Sequence, residues 1–460
     1  MSMIRCISPI DGSVVFEAPA LAPAAAEAAV ARAKDAQGAW AARPLEERIA
    51  RVRAGIDRLG AMNDAIVPEL ARQMGRPVRY GGEFGGVRER TEYMAGIAAD
   101  ALAPVVAEES TRARRYIARQ PHGVVLVVAP WNYPFLTAIN TVVPALIAGN
   151  AVVLKHASQT PLAGARLAEA LHAGGVPEEV FQNLLLDHAT TERLIAAGRF
   201  GFVNFTGSVK GGAAMEHAAA GSFTALGLEL GGKDPAYVME DADVTAAAAG
   251  LMDGAIYNAG QCCCGIERIY VHERLYDDFV AASVAEVEKL RLGNPLDEAT
   301  TLGPMANARF AAEVRAQVSE ALAAGAQGLI DPGLFPADDG GCYVAPQVLV
   351  SVTHAMRVMR DETFGPVVGI MKVSGDAEAI RLMNDSEFGL TASLWTSDFD
   401  RAARIGAAVE TGTVFMNRCD YLDPALCWTG CKNTGRGGAL SVIGYHNLTR
   451  PKSYHLRKLA

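Results

Sequence analysis

Three adjacent cysteines, Cys262, Cys263 and Cys264, stand in the run Asn258-Ala-Gly-Gln-Cys-Cys-Cys-Gly265. A nucleophilic thiol needs partial exposure and surroundings that favour the thiolate. The preceding stretch, VTAAAAGLMDGAIYNAG, has the pattern of a buried helix running into a glycine turn, and a turn after a helix supplies exposure. Three small side chains can equally just pack, because free cysteine is among the most buried residue types. A metal site is a third reading, although adjacent cysteines do not follow the usual ligand spacings.

Other segments carry candidate chemistry of their own. Glu229 opens Glu229-Leu-Gly-Gly-Lys233. A carboxylate beside two glycines can lean into a cleft and act as a base on water, or form a surface salt bridge with Lys233. Pro130-Trp-Asn-Tyr-Pro134 is stiffened by a proline at each end. The Asn132 amide is then a fixed donor to an oxyanion, or a cap on the following helix. Phe205-Thr-Gly-Ser-Val-Lys-Gly-Gly212 joins a strand pattern to a helix pattern, and N–H groups at a helix start attract phosphate. Its spacing matches neither common nucleotide-binding glycine motif. Lys155, ending AVVLK, can reach ribose or phosphate oxygens. Glu362, in Asp361-Glu-Thr-Phe-Gly-Pro366, can accept from a ribose hydroxyl. Each charge alone reads equally well as an ordinary surface group.

These side chains must be held by elements, and the pattern names them. The first hundred residues are Ala-rich with helical spacing, as over residues 23–40 and 45–74. From Gly123 strands and helices alternate: GVVLVVAP, FLTAINTVVPALIAG, NAVVLKHA, PLAGARLAEALHAGG, FQNLLLD, TTERLIAAG, FGFVNFTGS and a helix from Val209. A second alternation follows the cysteines: ERIYVHE, YDDFVAASVAEVEKL, DAEAIRLMND, DFDRAARIGAAV and GTVFMN. Such alternation predicts parallel sheets covered on both faces. The boundary between the two α/β regions is expected near Gly231 and Gly232, and clefts between such regions are where ligands bind.

Composition narrows the class. A net charge of −9 argues against a general nucleic-acid binder. Eight cysteines, three adjacent and five scattered, suit a reducing cytosol better than secretion. The start, MSMIRCISPIDG, lacks the apolar run of a signal peptide. Residues 123–154 carry no charge, yet Pro130, Pro134, Pro144, Asn132, Asn140 and Asn150 interrupt them, which is wrong for a spanning helix. A cytoplasmic protein with no membrane partner is expected.

Taken together and in this order, PWNYP, VVLK, FTGS, LELGGK, GQCCCG and ETFGPVV resemble the aldehyde dehydrogenase superfamily of the hydrolytic, NAD(P)-dependent type. The similarity runs along nearly the whole chain. Cys263 follows Glu229 by 34 positions, as nucleophile follows base in typical members, and is the second residue after Gln261, which selects it over Cys262 and Cys264. The resemblance implies an α/β fold with a Rossmann-like cofactor domain (residues 1–102 and 122–231) and an α/β catalytic domain (232–421). It adds a small β oligomerisation ribbon (103–121 and 448–460) and a segment returning to the cofactor domain (422–447). The stretches 114–120 and 453–458 read as amphipathic strands, and an exposed edge of that kind invites pairing, so a homodimer or homotetramer is expected.

The resemblance also implies the chemistry. Cys263 attacks the aldehyde, Asn132 and the backbone N–H of Cys263 hold the oxyanion, hydride goes to the nicotinamide, and Glu229 activates water to release the acid. Trp131, Lys155, Ser158, Ser208, Leu230, Glu362 and Phe364 take the cofactor positions. Tyr133, Thr137, Asn140, Tyr421, Leu422 and Trp428 take the aldehyde pocket, and no metal is implied. Many NAD-preferring relatives carry glutamate where Ser158 stands, so Ser158 favours NADP use with NAD also accepted; Lys155 and Lys210 are the cations for its extra phosphate. The usual Pro-x-Gly-Gly-x-Lys-x-Ser-Gly reads here Cys427-Trp-Thr-Gly-Cys-Lys-Asn-Thr-Gly435, a departure expected to bear on substrate. Arg418 is a candidate for a substrate carboxylate or a structural arginine. Two alternatives share the fold: a CoA-acylating dehydrogenase, against which Glu229 in ELGGK argues, and a catalytically silent binding protein, which would be marked by loss of nucleophile or base.

Overall fold

A charge-free, β-branched run makes a strand that wants both faces covered, and Val124–Val128 is buried at every residue. In the computed structural model, which describes residues 2–459, it is an inner strand of a six-stranded sheet. Its side chains alternate between two cores. Val125 and Val127 pack with Val142, Leu146 and Leu171 on one face, while Val124, Leu126 and Val128 share the other with Val30, Leu194 and Phe200. Ala151–Lys155 and Phe181–Asn183 continue the sheet in parallel on one side, and Phe202–Thr206 and Ala225–Glu229 on the other. Strand order thus reverses between Val124–Val128 and Phe202–Thr206, the kind of point beyond which doubly wound sheets bind ligands. Gly435–Arg436 adds an antiparallel edge against Leu228 and Glu229.

The elements follow the expected pattern with two adjustments, one in a helix and one in a strand. Pro23–Ala41 forms as expected, but the stretch 45–74 breaks at Met62 into Leu45–Ala61 and Asn63–Met74. The strand expected over FQNLLLD is only Phe181–Asn183. The charge-free residues 123–154 divide into strand, helix Pro134–Ile147 and strand. Among the described residues no helix is long and apolar enough to cross a membrane.

A second sheet of seven strands begins at Asp234–Val238, flanked in parallel by Ile266–His272 and Thr391–Trp395. Only four residues, 230–233, link it to the end of the first sheet. A Cβ on Gly232 would lie 2.3 Å from the carbonyl oxygen of Cys263, so the link passes the cysteine loop at a distance that only glycine allows. A third sheet joins Val105–Glu109, Ala113–Pro121 and Thr449–Arg457 antiparallel, and it contains both stretches expected as amphipathic strands.

Candidate active site

The cysteine loop is set by three consecutive residues with positive φ. Helix Val244–Ile256 is capped by Asp243, whose carboxylate accepts from Ala246 N–H (3.0 Å). Beyond it Asn258 and Ala259 both lie at φ 57° and Gly260 at 68°, conformations costly to any residue with a Cβ. At Gly260 a Cβ would meet the Gly365 carbonyl oxygen at 2.1 Å. Gln261 fastens the turn, its Nε2 donating to Asn258 O (3.0 Å) and its Oε1 accepting from Ala306 N–H (2.8 Å). The turn leaves Cys262 and Cys264 buried and Cys263 half-buried. Packing and exposure therefore both occur: all three cysteines line one cavity, the outer two also join the apolar core under the first sheet, and the middle one is the more exposed.

All three sulfurs lie within 4.8 Å of one another, and those of Cys262 and Cys264 are 3.4 Å apart. That spacing also meets the distance requirement of a soft-metal site, which adjacency in sequence argued against. Thiols so crowded cannot all ionise. Hydrogen bonding with Cys262, burial and the nearby charge of Glu229 hold the Cys263 thiol above its usual range in the ligand-free protein.

Glu229 ends its strand and faces the same cavity. Its Oε1 is buried without a partner, and its Oε2 accepts only a long hydrogen bond from the Thr206 hydroxyl (3.4 Å). Burial raises its pKa, while the Trp428 indole, the Arg90 guanidinium and Thr206 oppose the rise. The Trp428 N–H falls short of hydrogen-bond geometry and is itself unpartnered. The salt bridge with Lys233 does not form. Lys233 is fully buried and pairs with Glu267 (2.5 Å), because a buried ammonium must be matched. The cavity holds about 180 Å³ and is lined by Cys263, Glu229, Tyr133, Thr137 and Leu422 among others. A larger open hollow of about 740 Å³, near Arg48 and Arg119, touches none of the candidate residues.

Asn132 is fixed beside this cavity. Its Nδ2 donates to Gln261 O (3.1 Å), two residues before Cys263, and the Cys263 N–H has no acceptor among the described residues. A buried ion pair stabilises the loop from behind. Arg76 pairs with Glu83 (2.7 Å) and also donates to Asn132 O, while Glu83 accepts from Phe135 N–H (2.9 Å) and Leu136 N–H (2.7 Å) at the helix start. The capping role considered for Asn132 thus belongs to Glu83.

The other candidates line the carboxyl edge of the six-stranded sheet and the facing loop. Lys155 ends its strand, 8% exposed and in no ion pair among the described residues; burial lowers its pKa. Ser158, three residues on, is exposed. Ser208 caps helix Val209–Ala219, accepting from Gly211 N–H (3.2 Å), and Leu230 packs over Gly212 in that helix's first turn. Trp131 stacks on Phe310 (5.5 Å) and meets Phe364 edge-on (5.6 Å). Glu362 accepts from Gly232 N–H (3.0 Å), and burial, then the charge of Glu267, pushes its carboxyl up to about 8. Glu267 in turn accepts from Thr363 N–H (2.8 Å) and Phe364 N–H (2.8 Å). The Lys233–Glu267 pair therefore ties the Glu362–Phe364 loop to the link carrying Glu229.

Comparison with known proteins identifies the family. A family model described as "Aldehyde dehydrogenase family" matches residues 1–454. The chain belongs to the aldehyde dehydrogenase family. It is 36% identical to an aldehyde dehydrogenase of Paenarthrobacter nicotinovorans over 98% of this chain and 99% of that protein. It is 34% identical to a succinate-semialdehyde dehydrogenase [NADP(+)] of Mycobacterium avium (strain 104), over 98% and 96%. The solved structure of a succinic semialdehyde dehydrogenase from Streptococcus pyogenes with NADP+ superimposes with TM-score 0.92 at 29% identity, covering 99% of this chain and all of that one.

Three residues expected in the pocket of this aldehyde dehydrogenase do not line the cavity. Asn140 does not line the cavity; it is buried behind it, with its Oδ1 accepting from Arg90 (3.0 Å). Tyr421 points outward, bonded to Glu89 and covered by the Arg418 guanidinium at 4.0 Å, which also removes Arg418 from the cavity wall. Trp428 stands beside Glu229 in a separate small cleft, because the segment 427–435 adds the edge strand next to Glu229 instead of covering the thiols. Sequence reasoning missed Arg90, Leu136, Tyr257 and Asp420 on the cavity wall. Arg90 had a signal: it sits on the buried stripe of helix Phe84–Ala101 with Val87, Thr91 and Met94, where a charge is out of pattern.

Proposed function

We propose that the enzyme oxidises an aldehyde to a carboxylic acid with NAD(P), through a covalent intermediate on Cys263 that water cleaves. The observation that supports this best is the pairing, in one small cavity, of a half-buried thiol with a carboxylate whose Oε1 has no protein partner. Cys263 Sγ, having lost its proton to solvent, attacks the carbonyl carbon as thiolate; the carbonyl π pair moves to oxygen, and that anionic oxygen takes hydrogen bonds from Asn132 Nδ2 and the Cys263 N–H. After hydride loss the thioester remains. Glu229 Oε1 then takes a proton from water as the water oxygen attacks the thioester carbon, the C–S bond breaks, and Cys263 leaves as thiolate.

A nicotinamide dinucleotide, when bound, supplies the hydride acceptor, and the residues at the sheet edge fit it. They offer an unmatched buried ammonium at Lys155, a helix start at Ser208, and an aromatic wall of Trp131 and Phe364. Lys155 and Glu362 would hold ribose hydroxyls, and Leu230 would pack beside the base. Ser158 brings no negative charge to that edge, so the 2′-phosphate of NADP meets no repulsion there; NADP use with NAD also accepted follows from this. We further propose pairing of copies through the three-stranded sheet, whose Val105 and Val106 are 66% and 54% exposed, giving a dimer or a pair of dimers. Light scattering on the purified protein measures that directly.

Mixing enzyme, cofactor and an aldehyde panel tests the reaction. Reduced cofactor with free acid as product, unchanged by CoA, is the expected result. A CoA thioester as product would favour the acylating alternative, and no reduced cofactor with any aldehyde would favour a silent protein.

A further inference from the structure

We infer that Arg90 selects an aldehyde bearing a carboxylate remote from its carbonyl. This rests on the cavity being the aldehyde pocket, and it names what the pocket prefers. Arg90 is 7% exposed and contributes to the wall that holds Cys263 and Glu229. Only its Nη1 is engaged, donating to Leu136 O (3.1 Å) and Asn140 Oδ1 (3.0 Å). No carboxylate lies within ion-pair distance among the described residues, although Glu229, Glu83 and Glu89 act on it from farther off. Two of those are already engaged: Glu83 by Arg76 and two backbone N–H groups, Glu89 by the Tyr421 hydroxyl. The third, Glu229, must keep its free oxygen for water.

A guanidinium stays charged in proteins, and a buried unpaired charge is costly. Here the free edge of the fork, Nε and Nη2, is the part that no protein acceptor fills. A planar fork matches a carboxylate in two parallel hydrogen bonds, which a hydroxyl or carbonyl cannot reproduce. The cavity volume of about 180 Å³ has room for roughly six water molecules, hence for a short chain between the two ends. Tyr133, Leu136 and Leu422 provide apolar wall for its methylenes. Two acids share the wall, Glu229 and Asp420; burial raises the pKa of both, that of Asp420 to about 7, so near neutral pH Asp420 opposes an anion only in part, and the substrate carboxylate must sit at the Arg90 end, away from Glu229.

The experiment compares 4-oxobutanoate with butanal, of equal chain length, in wild type, Arg90→Gln and Arg90→Lys. Wild type should prefer the anionic aldehyde in kcat/KM. In Arg90→Gln the anionic-to-neutral ratio should fall about 30-fold or more, the loss expected when one partner of a buried charge pair is removed. Arg90→Lys keeps the charge without the fork and should fall between them. Calorimetric titration with butanedioate and butanoate provides a readout independent of turnover. Wild type should bind butanedioate more tightly and Arg90→Gln should bind the two alike. That result would support Arg90 even if no aldehyde were oxidised, in which case the reaction assigned to the site would be at fault. Equal kcat/KM for both aldehydes in wild type would overturn the inference. So would Arg90 variants that slow both aldehydes by one factor while shifting the pH profile, because Arg90 would then serve only to tune Glu229.

Discussion

Replacing Glu229 by Gln separates the two halves of the proposed reaction. Glutamine has the same shape, and the wild-type carboxylate makes only one long hydrogen bond, so the fold should lose at most about 1 kcal/mol. What disappears is the base. Removing a general base slows its step by roughly 10²–10⁴-fold, about 2.7–5.4 kcal/mol of barrier. Thioester hydrolysis carries that loss, whereas thiol attack and hydride transfer do not use Oε1. Stopped-flow absorbance of reduced nicotinamide should therefore show a burst approaching one equivalent per active site, followed by a very slow steady state. The pH profile supplies the second check. Burial raises the Glu229 pKa, and the base form is needed, so wild-type hydrolysis should decline on acidification at a pH above the ordinary glutamate range. That limb should vanish in Glu229→Gln. Equal slowing of burst and steady state would refute the assignment and make Glu229 the group that activates Cys263.

Cys263→Ala should abolish oxidation with cofactor binding retained by titration, whereas Cys262→Ala and Cys264→Ala should stay active and lose about 1 kcal/mol in chemical denaturation, because those thiols pack in the core. An inactive neighbour variant beside an active Cys263→Ala would overturn the choice of nucleophile. Asn132→Ala should depress the burst rate by about 10²–10³-fold, as loss of one oxyanion donor does; a change in KM alone would assign Asn132 to binding. Ser158→Glu should lower kcat/KM for NADP by about tenfold or more and spare NAD, since a carboxylate there would face the 2′-phosphate at close range. An equal effect on both cofactors would remove Ser158 from the discrimination.

What the sequence made legible was whatever depends on local pattern. Val124–Val128 and Ala151–Lys155 are charge-free β-branched runs, and they became inner strands. Ser208, read as the start of a helix, caps one. The glycines at 231 and 232 mark the passage from one sheet to the next. What stayed hidden depends on partners far away in the chain. Nothing near Lys233 announces that it abandons Glu229, four residues off, for Glu267, nor that Glu83 caps a helix starting 51 residues later. Tyr133, Thr137 and Leu422 line the cavity, and the other expected pocket residues lie off it for the same reason. A residue's place on a helix tells which face it shares, but Asn140 and Thr137 differ by less than one turn, and only the packing of helix Phe84–Ala101 across them decides that Thr137 meets the cavity while Asn140 meets Arg90.

The five residues 229–233 show why the two kinds of information converge at this site. Glu229 must end a strand of one sheet for its carboxylate to reach the cavity, and Asp234 must begin a strand of the other for the cysteine loop to be carried past it. A link this short fixes Glu229 relative to Cys263 only if it can touch the cysteine loop, which Gly232 permits, and the Glu362 carboxyl, which Gly231 permits. Lys233 then holds Glu267, and Glu267 holds the backbone of Thr363 and Phe364. Glu229, the cysteine loop and the Glu362–Phe364 loop are thus joined through buried contacts. Loosening that join would displace all three groups together, and reacting groups tolerate little displacement from a productive geometry.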